Sequence, residues 1–140
     1  MPNDELFREF EHTGDLGIEL EAPTRELLFA HAVIALSRLM VERSGINALQ
    51  ERSFVVAGMN DVELMHDTLS RALAIFLADD FVWNDAAVIA NEAGLTVTLR
   101  GEPFDSKRHQ LVTELKAVTY HQLAVEHKGD CWHARIVFDV

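Results

Sequence analysis

Leu16, Ile18 and Leu20 alternate with Gly17 and Glu19, which predicts a strand within 10–20 after a short turn at Thr13-Gly14. Thr24 can cap the helix that follows. Leu28, Ala32, Ala35, Leu36 and Leu39 recur at spacings of four, three, one and three, one face of a helix running to about Val41, and Gly45 stops the pattern. Residues 51–57 form a short strand candidate. Asn60 followed by Glu63 has the outline of a capping box, with Asn in place of the usual Ser or Thr. It opens a second helix with Met65, Leu69, Ala72, Leu73 and Phe76 on one face.

After Asp79-Asp80 the period changes to two. Residues 81–90 and 95–100 read as a hairpin across Asn91-Glu92-Ala93-Gly94. Leu95, Val97 and Leu99 alternate with Thr96, Thr98 and Arg100, so one face is expected to be buried. Residues 104–109 read as irregular chain or one helical turn. Two further strands, 116–125 and 132–140, are joined by the turn His127-Lys128-Gly129-Asp130. Strands follow helices instead of alternating with them, which predicts an α+β fold: a single two-layer domain over 1–140, its mainly antiparallel sheet carrying two helices.

Composition narrows the function classes. Twelve basic against 23 acidic residues leave a net charge of -11, which repels phosphate backbones and argues against direct, tight nucleic-acid binding. The charge suits steering toward a basic protein or collecting cations, and equally suits plain solubility. One cysteine, Cys131, excludes an internal disulfide and a multi-thiolate zinc site. No signal-peptide pattern and no run of about 20 apolar residues is present, so the expected location is the cytoplasm, away from membranes. His31 and His66 read as polar-face helix residues, and Trp83 and Trp132 as packing residues.

Three segments could carry chemistry. Glu11-His12-Thr13-Gly14-Asp15 sets a histidine and two carboxylates beside a glycine, where several oxygens could approach one cation; by spacing alone an ordinary turn explains it as well. Ile136-Val137-Phe138-Asp139-Val140 places a carboxylate next to an α-carboxylate and a backbone carbonyl, oxygen donors of the kind Mg²⁺, Mn²⁺ or Ca²⁺ take. If the first strand neighbours the last, Asp15 and Asp139 could share a cation. The third segment, Gly101-Glu102-Pro103-Phe104-Asp105 with Arg108-His109 and then residues 113–121, gathers Arg, Lys, Tyr and His side chains. These could bind a phosphate or move protons, or could form ion pairs of Glu114 or Asp105 with Arg108 or Lys116. On a continuous strand, Lys116, Val118 and Tyr120 would share one face and Ala117, Thr119 and His121 the other.

Taken together, Phe10-Glu11-His12-Thr13-Gly14-Asp15-Leu16-Gly17-Ile18, the Gly101 to Asp105 run, Arg108-His109, Glu114-Leu115-Lys116-Ala117-Val118-Thr119-Tyr120-His121 and the closing Ile136 to Val140 run resemble the archease family along essentially the whole chain. Gly14 stands where that family more often has Ala, Leu115 replaces a usual β-branched residue, and Glu42 is a longer substitute for an Asp common just after the first helix. The resemblance implies an accessory protein, not an enzyme. Its partner would be the GTP- and Mn²⁺-dependent RNA ligase of tRNA splicing and RNA repair, whose guanylylation and repeated turnover it would promote. The resemblance also implies a divalent-metal site, Ca²⁺ as usually seen in the family with Mn²⁺ or Mg²⁺ as alternatives, at Asp15, Asp139 and Val140, with His12 a neighbour. Rival readings are a general chaperone-like binder and a metal-dependent phosphohydrolase using Asp15, Asp139 and His12.

Overall fold

A computed structural model describes residues 6–12 and 14–140, with the side chains of Glu11 and His12 outside the described part. The expected turn residue Thr13 also lies outside it. Along the described residues run β1 (Arg8–His12), β2 (Asp15–Ala22), α1 (Arg25–Met40), a 3₁₀ turn (Arg43–Gly45), β3 (Gln50–Val56), α2 (Asp61–Asp79), β4 (Phe81–Asn91), β5 (Gly94–Pro103), β6 (Ala117–Val118), β7 (Ala124–Lys128) and β8 (Cys131–Asp139).

Local chemistry sets both helix starts. Thr24 is extended, and its hydroxyl accepts from the Leu27 N–H at 3.2 Å. Asn60 accepts from the Glu63 N–H at 2.9 Å, while the Glu63 carboxylate accepts from the Met59 N–H at 3.1 Å. The capping box is thus shifted outward by one residue on its return half. Helix α1 stops at Met40, before Gly45, because Val41 turns extended and bridges to Leu111. Both helices touch strands of both sheets, α1 mainly β4 and β2, α2 the β6–β7 edge, β4 and β3. A helix covered on several sides needs a broad apolar surface, and α1 buries Leu28, Phe29, Val33, Leu36 and Met40 together.

The α+β class and the antiparallel pairing hold, but the strands form two sheets. One has the order β1-β2-β8-β6 with β7 also on β8; the other is β3-β5-β4. Fully buried Trp83 ties the second sheet to α1: its indole N–H donates to the Val33 carbonyl at 2.9 Å, and the Ser37 hydroxyl donates to the Trp83 carbonyl. The strand expected over 116–125 is broken. Thr119 instead donates its hydroxyl to the Val137 carbonyl and accepts from the His121 N–H, and Gln122 turns left-handed at φ 55°. Hence Lys116, Val118 and Tyr120 do not share one strand face. β1 is an additional strand, forming a hairpin with β2 through Gly14 at φ +76°.

Between β4 and β5 the backbones come unusually close. A Cβ on Gly101 would lie 1.8 Å from the Val82 carbonyl oxygen and 2.5 Å from the Trp83 Cα, beside the bulge at Trp83/Asp85. Those obstacles are backbone and cannot rotate away. Gly101→Ala is expected to cost about 3 kcal/mol, read by urea denaturation; a loss below about 1 kcal/mol would contradict this close approach.

Candidate functional site

Pairing of β2 with β8 sets Leu16 opposite Phe138, Ile18 opposite Ile136 and Leu20 opposite Ala134. Ile18, Ile136 and Phe138 are fully buried, so this face is the core face and a one-residue slip would turn it outward. The same register sets Asp15 directly opposite Asp139 on the other face. Residues so opposed have Cβ atoms about 5 Å apart. The two strands are neighbours, the condition for Asp15 and Asp139 to share a cation, and the two carboxylates start from adjacent positions. Asp15 is half-buried; Asp139 and Val140 are exposed.

The remaining candidates divide. His12 pairs through its backbone with Asp15, and its side chain lies outside the described part. The Asp139 carbonyl, expected to be free, accepts from the Lys116 N–H at 2.8 Å because β6 joins the strand there. The Glu42 carboxylate caps the 3₁₀ turn, accepting from the Ser44 N–H at 3.1 Å. Among the described residues no three His, Cys, Asp or Glu side chains gather closely enough to hold an ion. Carboxylates such as those of Asp15 and Asp139 are hard oxygen donors of the kind divalent cations such as Ca²⁺ take. Gly14 supplies the left-handed turn residue that lets β1 fold back beside Asp15, a conformation in which Ala would be strained.

The third segment does not converge on this pair. Its hub is Glu102, buried on the β5 face that alternation predicts to be solvated. Arg108 grips it with two bonds, Nη1 to Oε2 at 3.0 Å and Nη2 to Oε1 at 2.7 Å, and also pairs with Asp105 at 3.4 Å. Buried His109 accepts the Asp105 N–H on Nδ1 at 2.8 Å, so Nε2 carries the hydrogen that reaches Glu102 at 2.9 Å. The Asn47 N–H donates to Glu102 at 2.7 Å, and Arg108 reaches the Gly45 carbonyl at 3.2 Å. Each group is satisfied inside the cluster, which therefore clamps the 105–109 turn to the turn after α1. Of the two readings, the ion pair of Arg108 with Asp105 is present, though Glu102 is the stronger partner. Tyr120 lies elsewhere, stacked at 3.9 Å on His66 of α2. His66 is more than a polar-face residue: its Nε2 donates to the Val118 carbonyl at 3.1 Å and its Nδ1 faces Asp67. Spacing alone assigns neither Glu102 nor His66 its role: Glu102 also draws in Asn47 from 55 residues away and His66 reaches Val118, 52 residues on.

A polar cleft of about 580 Å³ opens between Arg8, Glu19, Glu126, Lys128, His133 and Arg135. Asp15 and Asp139 do not line it. A hydrolase built on those carboxylates needs a pocket and a base at the same place, and this cleft does not provide them.

The hydrogen bonds from Arg108, followed by those from Asn47 and His109, lower the Glu102 carboxyl to about 2 against the opposing effect of burial. A carboxyl lowered in the folded state stabilises it above the ordinary value of 4.5, and that contribution fades as pH falls toward 2. Glu102→Gln should cost about 3 kcal/mol near neutral pH, since hydrogen bonds to a charged group are lost. It should also flatten the decline in stability between pH 4.5 and 2. Denaturation of both proteins across that range checks this; identical acid slopes would refute it.

Comparison with known proteins agrees with this architecture. Residues 7–140 match the archease protein family. The protein archease of Methanopyrus kandleri is 35% identical over 138 residues, covering 96% of this chain and 99% of its own. That of Methanosarcina barkeri is 31% identical over 135 residues, 93% of this chain and 92% of its own. The solution structure of Methanobacterium thermoautotrophicum protein 1598 superposes with a TM-score of 0.79 at 26% identity, over 96% of this chain and 98% of that one. A Thermotoga maritima crystal structure, described as an archease and possible chaperone, shares the fold with a TM-score of 0.67 at 24% identity, over 95% and 96%. On the family match and the curated relatives together, the chain belongs to the archease protein family.

Proposed function

We propose that this protein activates the GTP-dependent RNA ligase of tRNA splicing and RNA repair, acting in the cytoplasm through a divalent cation held at Asp15, Asp139 and Val140. The single observation that supports the reading is the direct opposition of Asp15 and Asp139 in a chain matching the archeases over residues 7–140. Two carboxylates and the carbonyl or carboxylate oxygen of Val140 suit Ca²⁺, Mn²⁺ or Mg²⁺, and leave coordination positions for water or a partner. When bound, the cation supplies positive charge that a partner's phosphate or carboxylate can share. Asp15 is held by the β2 register and Asp139 by pairing on both sides, which fixes the backbone from which both carboxylates project.

Charge gives the partner its sign. A net charge of -11 favours encounter with a basic surface, which an enzyme that binds RNA needs near its active site. No described helix is long and apolar enough to cross a membrane.

The description of the Thermotoga maritima relative as a possible chaperone motivates a second reading, a general binder of non-native proteins. Metal-independent suppression of aggregation of unrelated proteins would favour it. The test of the first reading is GTP-dependent labelling of the purified ligase. Asp15→Ala and Asp139→Ala should each keep the circular dichroism spectrum, lower Mn²⁺ affinity in calorimetry by about 10-fold or more, and abolish stimulation of labelling. Undiminished stimulation by both variants would defeat it.

A further inference from the structure

Leu111 and Val112 are consecutive residues of the segment that crosses the end of α1, and both are open to solvent, 58% and 60% exposed. Neighbours along extended chain point to opposite sides, so a segment lying flat on a protein ordinarily hides one of the two. This segment is nevertheless anchored. The Val112 N–H donates to the Met40 carbonyl at 2.7 Å, the Glu42 N–H donates to the Gln110 carbonyl at 2.9 Å, and Leu111 bridges to Val41. An apolar pair held out on fixed backbone is ordered before a partner arrives, which removes part of the usual cost of binding.

Its place in the fold gives it a neighbour. Four residues on, the Lys116 N–H donates to the Asp139 carbonyl. Four steps of extended chain span at most about 14 Å, so the apolar pair lies within that reach of the backbone bonded to Asp139. Val140, 44% exposed, adds a third apolar group at that end. Around them Glu42, Glu114 and Asp139 are exposed, against Arg43 and Lys116. With Asp15 the local balance is acidic, in keeping with the whole chain. Other exposed apolar residues differ in setting: Val55 and Ile89 flank Thr96 on the outer face of the second sheet, with nothing to select an occupant.

We propose that Leu111 and Val112, with Val140, are the apolar centre of a docking surface for a protein presenting an apolar recess ringed by Lys and Arg. The inference rests on the function proposed above, under which that protein is the RNA ligase. An apolar centre with a charged rim is the usual division of labour at such contacts: the centre holds the complex and the rim steers encounter. Docking here sets the partner next to Asp15 and Asp139, so affinity and stimulation come from adjacent but separable residues.

The experiment uses the full chain and the purified ligase. It measures complex affinity by calorimetry and the concentration giving half-maximal ligase guanylylation. The double variant L111S/V112S should melt like the wild type, bind at least about 10-fold more weakly, the scale of a central apolar contact, and still reach the wild-type maximum at saturation. D139A should lose the maximum while weakening binding less than L111S/V112S does, since Asp139 belongs to the charged rim and not to the apolar centre. The control V55S/I89S should bind as the wild type does. Wild-type affinity in L111S/V112S, or an equal loss in V55S/I89S, overturns the docking surface and leaves the ligase reading standing. A wild-type protein that neither binds nor stimulates the ligase overturns both.

Discussion

The antiparallel pairing of β2 with β8 in one register fixes where Asp15 and Asp139 stand relative to each other. That register is enforced from the core side, where Ile18 meets Ile136 and Leu16 meets Phe138. Because strand side chains alternate, burying those residues leaves no choice about what stands on the reverse face. Asp15 meets Asp139 there. Like charges directly opposite one another on a sheet are unfavourable in general. The core-side register thus decides that these two acidic residues face each other across the strands, and under the function proposed above a divalent cation lies between them.

The rest of the molecule secures the two ends of that arrangement. On one side the hairpin through Gly14 brings β1 alongside β2, with His12 as the backbone partner of Asp15. On the other, β6 closes on Asp139 through the Lys116 N–H and the Ala117 pairing. The segment that delivers β6 starts from the Glu102–Arg108–His109 clamp and is tied midway to the end of α1. The buried ionic cluster thus matters to the site through chain geometry, though it shares no atom with it. It is a fastening whose groups bond one another.

Local rules made much of this legible in the residues. Both helices carry their apolar stripe and a capping side chain within a few positions, so their starts follow from Thr24 and Asn60. The β4–β5 hairpin announces itself by strict alternation into Asn91 and Gly94. Asp15 and Asp139 could be singled out as one potential site because both sit at strand ends and carry the family's motifs. What escaped depends on contacts between distant segments. The break at 119–123 arises from Thr119 bonding Val137, 18 residues on. Glu102 falls on a face that alternation marks as solvated, yet it is buried and accepts the N–H of Asn47, 55 residues away. The division into two sheets reflects how both helices pack against strands from each half, which no local period encodes.

The central claim is that one cation sits between two neighbouring strands. Crystals grown with Mn²⁺ and measured near its absorption edge test this most directly. The account requires a single strong anomalous peak within about 2.5 Å of carboxylate oxygens from both Asp15 and Asp139. A peak bound to only one of them, or ordered Mn²⁺ found solely elsewhere on the molecule, would contradict it.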